Sequence, residues 1–366
     1  MAGGFGQWLV EFLTLAARLA TPAFLVIAGL VFFRDGRVSF DGYRRKLKSR
    51  VYTLLVPYLA WNFMAILLFC APSAYKHFFL PPGTYTFAPL SFGGLATWLV
   101  GWPVYPADAP LWFVRDLLLL IVIVPLLSMI PRRLQVVGLV VLLFYWLLGP
   151  VDLVPGGIPR AASAFFFLAG AWLGRNQVLL RPGPAANRIT VISAVVFLVS
   201  AAAGASCNTI GGDHAATQLI FDRLVRLSGV VMVVCAGTLA SIPDWLSGPL
   251  RRLSSAAFFL FAFHYCVFVC LTGVFGRFAP ERLGTGRELL VFGLVFATVI
   301  AISLACYVFL KRHAPSLLGL LDGNRSARCS VGRRTEKLVA VSPVPILAPR
   351  PSSFSLPQQN ATIGMN

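Results

Sequence analysis

The chain has 366 residues, of which 58% are hydrophobic and 12% are charged, and its formal net charge is +18. Because soluble globular domains carry about 25% charged residues, this composition and the mean hydropathy of +0.79 exclude a water-soluble globular protein. They indicate a membrane protein whose partner is the lipid bilayer. The cations are dispersed among apolar segments, which argues against nucleic-acid binding.

Nine apolar segments follow one another along the chain, most of them long enough to cross a bilayer as a helix. They predict an all-α fold, a polytopic integral membrane helical bundle with about nine transmembrane helices. The predicted segments are residues 15–33, 51–71, 111–130, 135–149, 161–174, 189–205, 224–241, 253–275 and 289–310.

The distribution of Lys and Arg predicts the topology, since cytoplasmic loops of membrane proteins are enriched in both. Residues 34–50 contain seven cations and are expected inside, whereas residues 72–110 contain only Lys76 and are expected outside. The remaining loops alternate in the same way, and the last apolar segment ends at Lys311 and Arg312. We therefore expect the C-terminus in the cytoplasm.

The composition changes near Pro315. We expect residues 1–314 to form the transmembrane domain and residues 315–366 to form a cytoplasmic tail. That tail is basic in its first part, and residues 342–366 are rich in Pro, Ser and Gln, which is typical of a disordered segment.

Ionisable residues at membrane depth are expensive, so each is a candidate functional residue. Four places qualify, and they hold Arg18, the pair Arg115 and Asp116, the group Asp222, Arg223 and Arg226, and His264.

Each candidate also has a purely structural interpretation. Arg18 and the arginines near Asp222 can extend to the membrane interface. Arg115 and Asp116 diverge by about 100° on a helix, so we expect each to pair with another helix rather than with the other. His264 is either a proton acceptor or a buried hydrogen-bonding group. The sequence has no C-x-x-C pair, and we predict no metal site.

Five strings resemble, in order and spacing, the acyltransferase-3 family of bacterial integral-membrane O-acyltransferases. The most specific is PLWFVRDL at residues 110–117, and FFLAGAWLG at 166–174 and SAAFFLFAFH at 255–264 match two further stretches. The other two are the segment from Arg18 to Phe33 and the basic stretch with its following helix at residues 43–62.

The resemblance implies an inner-membrane protein that moves an acyl group, most often acetyl, from cytoplasmic acyl-CoA to a hydroxyl of a surface glycan or related acceptor. The donor's phosphates need cations, for which we name Arg45, Lys48, Arg50 and Arg115. For the acceptor we name Arg18, Trp112 and Arg223. Acyl transfer to an alcohol needs a base, and we assign the catalytic roles to His264 and Asp116.

The sequence departs from the family in its first helix, which carries a basic residue and, eleven residues later, the histidine regarded as catalytic. No histidine precedes His77 here, Ala28 replaces a family serine, and the paired arginines of the basic loop appear only as Arg45 and Lys48. We therefore expect that the chain as given lacks this helix and is inactive. Two other functions stay open, a transporter or flippase without chemistry and a non-catalytic scaffold of the same family.

Overall fold

The computed structural model describes residues 5–33, 39–69, 92–149, 159–176, 183–210, 215–239, 244–278 and 285–324. Every structural statement below concerns these ranges. Most of the predicted tail, including all of residues 327–366, lies outside them.

Within these ranges the secondary structure is helical, without strands, which confirms the predicted all-α class. The helices are α1 (Phe5–Ala17), α2 (Ala20–Phe32), α3 (Phe40–Arg50), α4 (Val56–Phe69), α5 (Phe92–Val100), α6 (Trp112–Met129), α7 (Arg132–Leu148), α8 (Ala161–Arg175), α9 (Pro184–Ile210), α10 (Ala215–Leu239), α11 (Asp244–Phe278), α12 (Thr285–His313) and α13 (Pro315–Asp322). One π-helical turn, Val51–Leu55, joins α3 to α4, and a short 3₁₀ turn, Ala109–Leu111, precedes α6.

Each predicted apolar segment coincides with a helix over most of its length. Five spans of the described chain are long and apolar enough to cross a bilayer: Phe5–Phe32, Phe40–Phe69, Pro184–Asn208, Gly248–Thr272 and Leu290–His313. The multi-pass helical membrane fold is therefore confirmed, while the count of nine transmembrane helices stays a prediction.

The first span is interrupted at Arg18 and Leu19, where the backbone N–H groups bond to carbonyls three residues back rather than four. The cause lies at Pro22, which has no N–H to donate to the carbonyl of Arg18 and whose ring crowds that carbonyl. The break leaves Arg18 between two helices, at the point from which its side chain extends toward α10.

Helices α2 and α8 cross at close range through glycine. A Cβ atom at Gly170 would overlap the carbonyl of Val26, one at Gly174 would overlap that of Leu30, and Gly29 leaves the matching space on α2. Small residues four apart allow such close crossings between membrane helices. The crossing fixes the position of Arg18, at the start of α2, relative to the first turns of α8.

The main core lies where α2, α4, α6, α8 and α11 meet, and large side chains there, such as Trp61, Phe167 and Phe259, are at most 1% exposed. The outer surface is apolar instead. Val199 on α9 is 62% exposed and Phe296 on α12 is 63% exposed, as expected of side chains that face lipid.

Helix α13 packs against α4, although its sequence falls in the predicted tail. Leu318 and Leu321 are buried, and the indole Nε1–H of Trp61 donates to the carbonyl of Leu321 at 2.9 Å. Gly323 ends the helix with a φ of +67°, a left-handed conformation that favours glycine. The first eight residues after Ala314 thus pack with the bundle.

Candidate functional site

Asp116 is fully buried on α6, and four hydrogen bonds satisfy its carboxylate. Oδ1 accepts from Nε and Nη2 of Arg115 at 3.2 and 3.0 Å. Oδ2 accepts from the Ser163 hydroxyl at 2.7 Å and from the backbone N–H of Arg160 at 3.1 Å. The lone pairs of this carboxylate are therefore occupied by four donors of the protein itself.

The expectation that Arg115 and Asp116 pair with other helices rather than with each other is therefore wrong in part. The arginine side chain is long enough to turn back onto the carboxylate of its neighbour, despite their divergence around the helix. The pair then acts as a unit, since Asp116 reaches α8 and Arg115 Nη1 donates to the carbonyl of Gly101. This unit ties the connection between α5 and α6 to the bundle.

A second ion cluster joins the break after α1 to α10. Asp222 accepts from Arg18 at 2.9 Å and from Arg226, one turn later on α10, at 2.9 Å. The Arg18 side chain is 47% exposed, so this cluster is partly accessible to solvent, whereas the Asp116 cluster is buried. Arg18 is thus held by an interhelical ion pair rather than extended alone to the interface.

Arg223, which we named for the acceptor, contacts the end of another helix. Its guanidinium donates to the carbonyl oxygens of Leu147 and Gly149, the latter at 2.7 Å. These carbonyls lie at the C-terminus of α7, where a cation is favoured by the helix dipole. The structure therefore gives Arg223 contacts that attach α7 to α10.

A small cavity, the cationic pocket, lies between the two ion clusters. Its volume is about 130 Å³, and its walls include Arg18, Thr21, Trp112, Ser163, Phe166 and Arg226. Arg160 adjoins the pocket, because its guanidinium lies 4.2 Å from the ring of Trp112 and 4.8 Å from that of Tyr105. The pocket thus combines cations, a hydroxyl and an indole, which suits a polar ligand with negative charge.

A larger cavity of about 490 Å³, the apolar groove, lies between α2, α6 and α11. Thr21 near the start of α2 lines it, as do Val31 near the end of α2 and Arg50 at the end of α3. From Thr21 to Phe32, the last residue of α2 on its wall, α2 rises about 16 Å, so the groove follows most of that helix. Thr21 lines both cavities, which makes them neighbours.

The predicted donor cations lie on α3. Arg45 and Lys48 are exposed and three residues apart, so they share one face of the helix. Lys46 attaches α3 to α2 by donating to the carbonyl of Phe32 at 2.7 Å. Arg50 is half-buried and lines the apolar groove. Arg115 lies elsewhere, in the buried unit with Asp116.

His264 lines a third cavity of about 310 Å³ between α11 and α12, the histidine groove. Its Nδ1 contacts the carbonyl of Phe261, and a carbonyl only accepts, so Nδ1 carries the proton and Nε2 is left as an acceptor. Ala257 and Phe261 line both this groove and the apolar groove. The structure thus places His264 next to the apolar groove but does not bond it to Asp116.

Sequence reasoning missed Asp108, a fully buried residue in the connection between α5 and α6. Its backbone N–H donates to Asn62 Oδ1 at 2.9 Å. Neither of its carboxyl oxygens has a hydrogen-bond partner among the described residues, and burial raises the pKa of Asp108 well above its usual range. No sequence signal sets Asp108 apart, because aspartate is common in loops.

Within the described part of the chain, no group of three or more His, Cys, Asp and Glu side chains is placed to bind a metal. Ser163 was also missed. It is an unremarkable small residue in the sequence, and only its 2.7 Å contact to Asp116 reveals its place in the site.

The family model described as an acyltransferase domain, that of the acyltransferase-3 family, matches residues 1–308. The chain therefore belongs to this family, which confirms the resemblance inferred from the five strings. It is also similar to the succinoglycan biosynthesis protein ExoH of Rhizobium meliloti (strain 1021). The two are 28% identical over 332 residues, which cover 88% of this chain and 85% of the relative. No solved structure matches the chain.

Proposed function

We propose that this membrane protein of the acyltransferase-3 family transfers an acyl group, acetyl in particular, from acyl-CoA to a hydroxyl of a cell-surface glycan. The observation that carries the proposal is Thr21, which lines both the apolar groove and the cationic pocket. A donor arm in the groove and an acceptor in the pocket would meet beside this residue. The glycan acceptor is further supported by the relative named for succinoglycan biosynthesis.

The donor would bind with its charged end at α3. Phosphate groups favour arginine and lysine, and Arg45 and Lys48 offer two exposed cations on one helix face. Arg50, at the end of the same helix, lines the apolar groove, so we propose that the anionic head of the donor binds at α3 and its uncharged arm lies along α2. We propose that Arg115, whose donors go to Asp116 and Gly101, positions the site rather than binds phosphate.

The reaction needs a base, because an alcohol is scarcely ionised at neutral pH. We propose that His264, in place of the first-helix histidine of the family, is this base and makes the chain active, contrary to the expectation from its sequence. Its Nε2 takes the proton of the acceptor hydroxyl as the hydroxyl oxygen attacks the thioester carbonyl. The C–O bond forms, the C–S bond breaks, and the coenzyme leaves as a thiolate that the imidazolium can protonate. Asp116, with its lone pairs already bonded, holds Ser163 and Arg115 in place.

The orientation follows from the cations. We propose that α3 faces the cytoplasm, where acyl-CoA is made, that the C-terminus is on the same side, and that the protein lies in the bacterial inner membrane. The cationic pocket at the other end of the apolar groove would then face the acceptor.

Purified protein in detergent tests the proposal through two measurements, acetyl-CoA binding and transfer of radiolabelled acetyl to surface glycan. Arg50→Gln is expected to weaken binding about tenfold or more, most strongly at low salt, as for the loss of one charge-assisted contact. Arg133→Gln, which removes an exposed cation at the start of α7, is the matched control and should leave binding unchanged.

His264→Ala is expected to abolish transfer and preserve binding, since it removes only the base. Absence of acetyl-CoA binding by the wild-type protein would overturn the proposal in favour of a carrier, which has no reason to bind this donor. Binding with no transfer to any glycan would overturn it in favour of a scaffold.

A further inference from the structure

The cationic pocket has more positive charge than its own side chains neutralise. Two guanidinium groups, those of Arg18 and Arg226, share the single carboxylate of Asp222. The neighbouring Arg115 and Asp116 neutralise each other. Counting the described residues, the arginine cluster on the pocket wall therefore has a net charge of about +1.

Arg226 also carries an unused donor. Its Nε is buried and has no hydrogen-bond partner among the described residues, although its Nη2 is bonded to Asp222. A buried guanidinium N–H without an acceptor is costly and rare in a native structure. Because Arg226 lines the pocket, its guanidinium lies beside the space that a ligand with an acceptor atom would fill.

Arg160 adds a second positive charge beside the pocket. Its backbone N–H is bonded to Asp116, and its guanidinium rests on the rings of Trp112 and Tyr105. Within the described chain no acceptor bonds to that guanidinium. An arginine stacked on aromatic rings has its orientation fixed and the N–H groups at its edge still available.

We infer that this pocket recognises an anionic substituent of the acceptor, a carboxylate or phosphate carried by a sugar. The inference rests on the proposed function and specifies its acceptor class as an acidic glycan. The oxygens of either anion match the N–H groups of arginine, and Trp112 offers an apolar face to the sugar ring. At about 130 Å³ the pocket is small beside the apolar groove, which suits one charged substituent rather than a whole oligosaccharide.

Binding of small probes to the purified protein, with no donor present, tests this inference. Methyl glucuronoside and glucose 6-phosphate are compared with methyl glucoside, their uncharged counterpart, by calorimetry at low and high salt. The acidic sugars are expected to bind at least tenfold more tightly than methyl glucoside, with a preference that shrinks as salt rises. Glycerol phosphate, which represents a lipid headgroup, is expected to bind weakly.

Two variants locate the site. Arg226→Gln and Arg160→Gln should each remove most of the preference for the acidic sugar, while Arg226→Lys restores part of it. Arg132→Gln, at an exposed cation on α7, is the matched control. Arg160 is half-buried at the edge of the pocket, so its variant is informative even if Arg226→Gln does not fold.

The inference is overturned if methyl glucoside binds as tightly as methyl glucuronoside, or if both glutamine variants keep the full preference. Glycerol phosphate binding as tightly as glucose 6-phosphate would overturn the acceptor assignment in favour of a lipid. Acetyl transfer to neutral and acidic glycans at equal rates would refute this inference and leave the proposed function intact. Selective binding of acidic sugars without any transfer would instead refute the proposed function.

Discussion

Two ion clusters flank the cationic pocket, and they differ in what their arginines have left to offer. In one cluster, four hydrogen bonds saturate Asp116, and Arg115 is 6% exposed. In the other, Asp222 accepts from two arginines. The Arg18 side chain is 47% exposed, and Arg226 has a buried donor that bonds to none of the described residues. The first cluster is complete without a ligand, and the second is not.

The difference separates two consequences of placing charge in a membrane protein. A buried pair with all its lone pairs bonded holds helices together, and removing one partner leaves an uncompensated charge. A half-exposed cluster with excess cations contributes little to stability but attracts anions. Intramembrane charge alone therefore does not identify a binding residue, and the inferred ligand pocket depends on donors that the described residues leave unused.

The largest effect is expected for Asp116→Asn, which removes the charge opposite the buried guanidinium of Arg115. We expect a loss of about 3–5 kcal/mol in stability, as for other buried pairs broken on one side. The measurement is the thermal unfolding midpoint of the detergent-purified protein, together with the fraction recovered as a single species. Asp41→Asn, at an exposed carboxylate on α3, is the control, and equal midpoints for the two variants would show that the Asp116 cluster is not structural.

The corresponding substitution at Asp222 is expected to change ligand binding more than stability. Asp222→Asn frees both Arg18 and Arg226, so we expect several-fold tighter binding of methyl glucuronoside at low salt. The cost in stability should be smaller than that of Asp116→Asn, because the Arg18 side chain is 47% exposed and solvent screens its charge, although Asp222 itself is buried. Weaker binding of the acidic sugar by this variant would mean that Asp222 orients the arginines more than it neutralises them.

The smallest effect concerns Asp108, a carboxyl group with neither a cation nor a hydrogen bond on its oxygens among the described residues. Burial raises its pKa in the folded protein, so folding disfavours the ionised form. Stability should therefore fall as the pH rises from the unfolded pKa through the raised folded one, and return as the pH is lowered. Asp108→Asn cannot ionise and should escape this fall.

The Asn variant is thus expected to be more stable than the wild type at pH 8, by about 1.4 kcal/mol for each pKa unit that burial adds. The difference should shrink toward pH 5, and unfolding midpoints across this range measure it. Asp41→Asn again provides the exposed comparison. A lower midpoint for Asp108→Asn at every pH would show that the carboxylate has a charged partner in the folded protein.

Much of the fold was readable from the sequence because the information is local. Each helix that crosses a bilayer must satisfy its own backbone polar groups and present apolar side chains to lipid. A long apolar run such as residues 289–310 can therefore be recognised from the sequence. The family was readable for a related reason, since strings such as residues 110–117 keep their order and spacing. Asp116 was named as a candidate from its place in an apolar segment, and its catalytic role stays a prediction.

The partners of these residues could not be read in the same way. Arg18 and Asp222 are 204 positions apart, and many charge pairings would suit their composition equally well. The orientation of Arg115 toward Asp116 depends on two further contacts. The Ser163 hydroxyl donates to Asp116, and the Gly101 carbonyl accepts from Arg115. Neither contact has a signature in the local sequence.

In the sequence alone, hydropathy and cation spacing indicated a helical membrane protein, the five strings indicated the acyltransferase-3 family, and the charges in apolar segments gave a short set of candidate residues. The tertiary structure decided which of those residues are saturated and which keep donors for a ligand. That distinction depends on the distances between helices, such as the close crossing of α2 and α8 permitted by Gly170 and Gly174. Such distances are set by packing between segments far apart in the chain, which local sequence patterns do not encode.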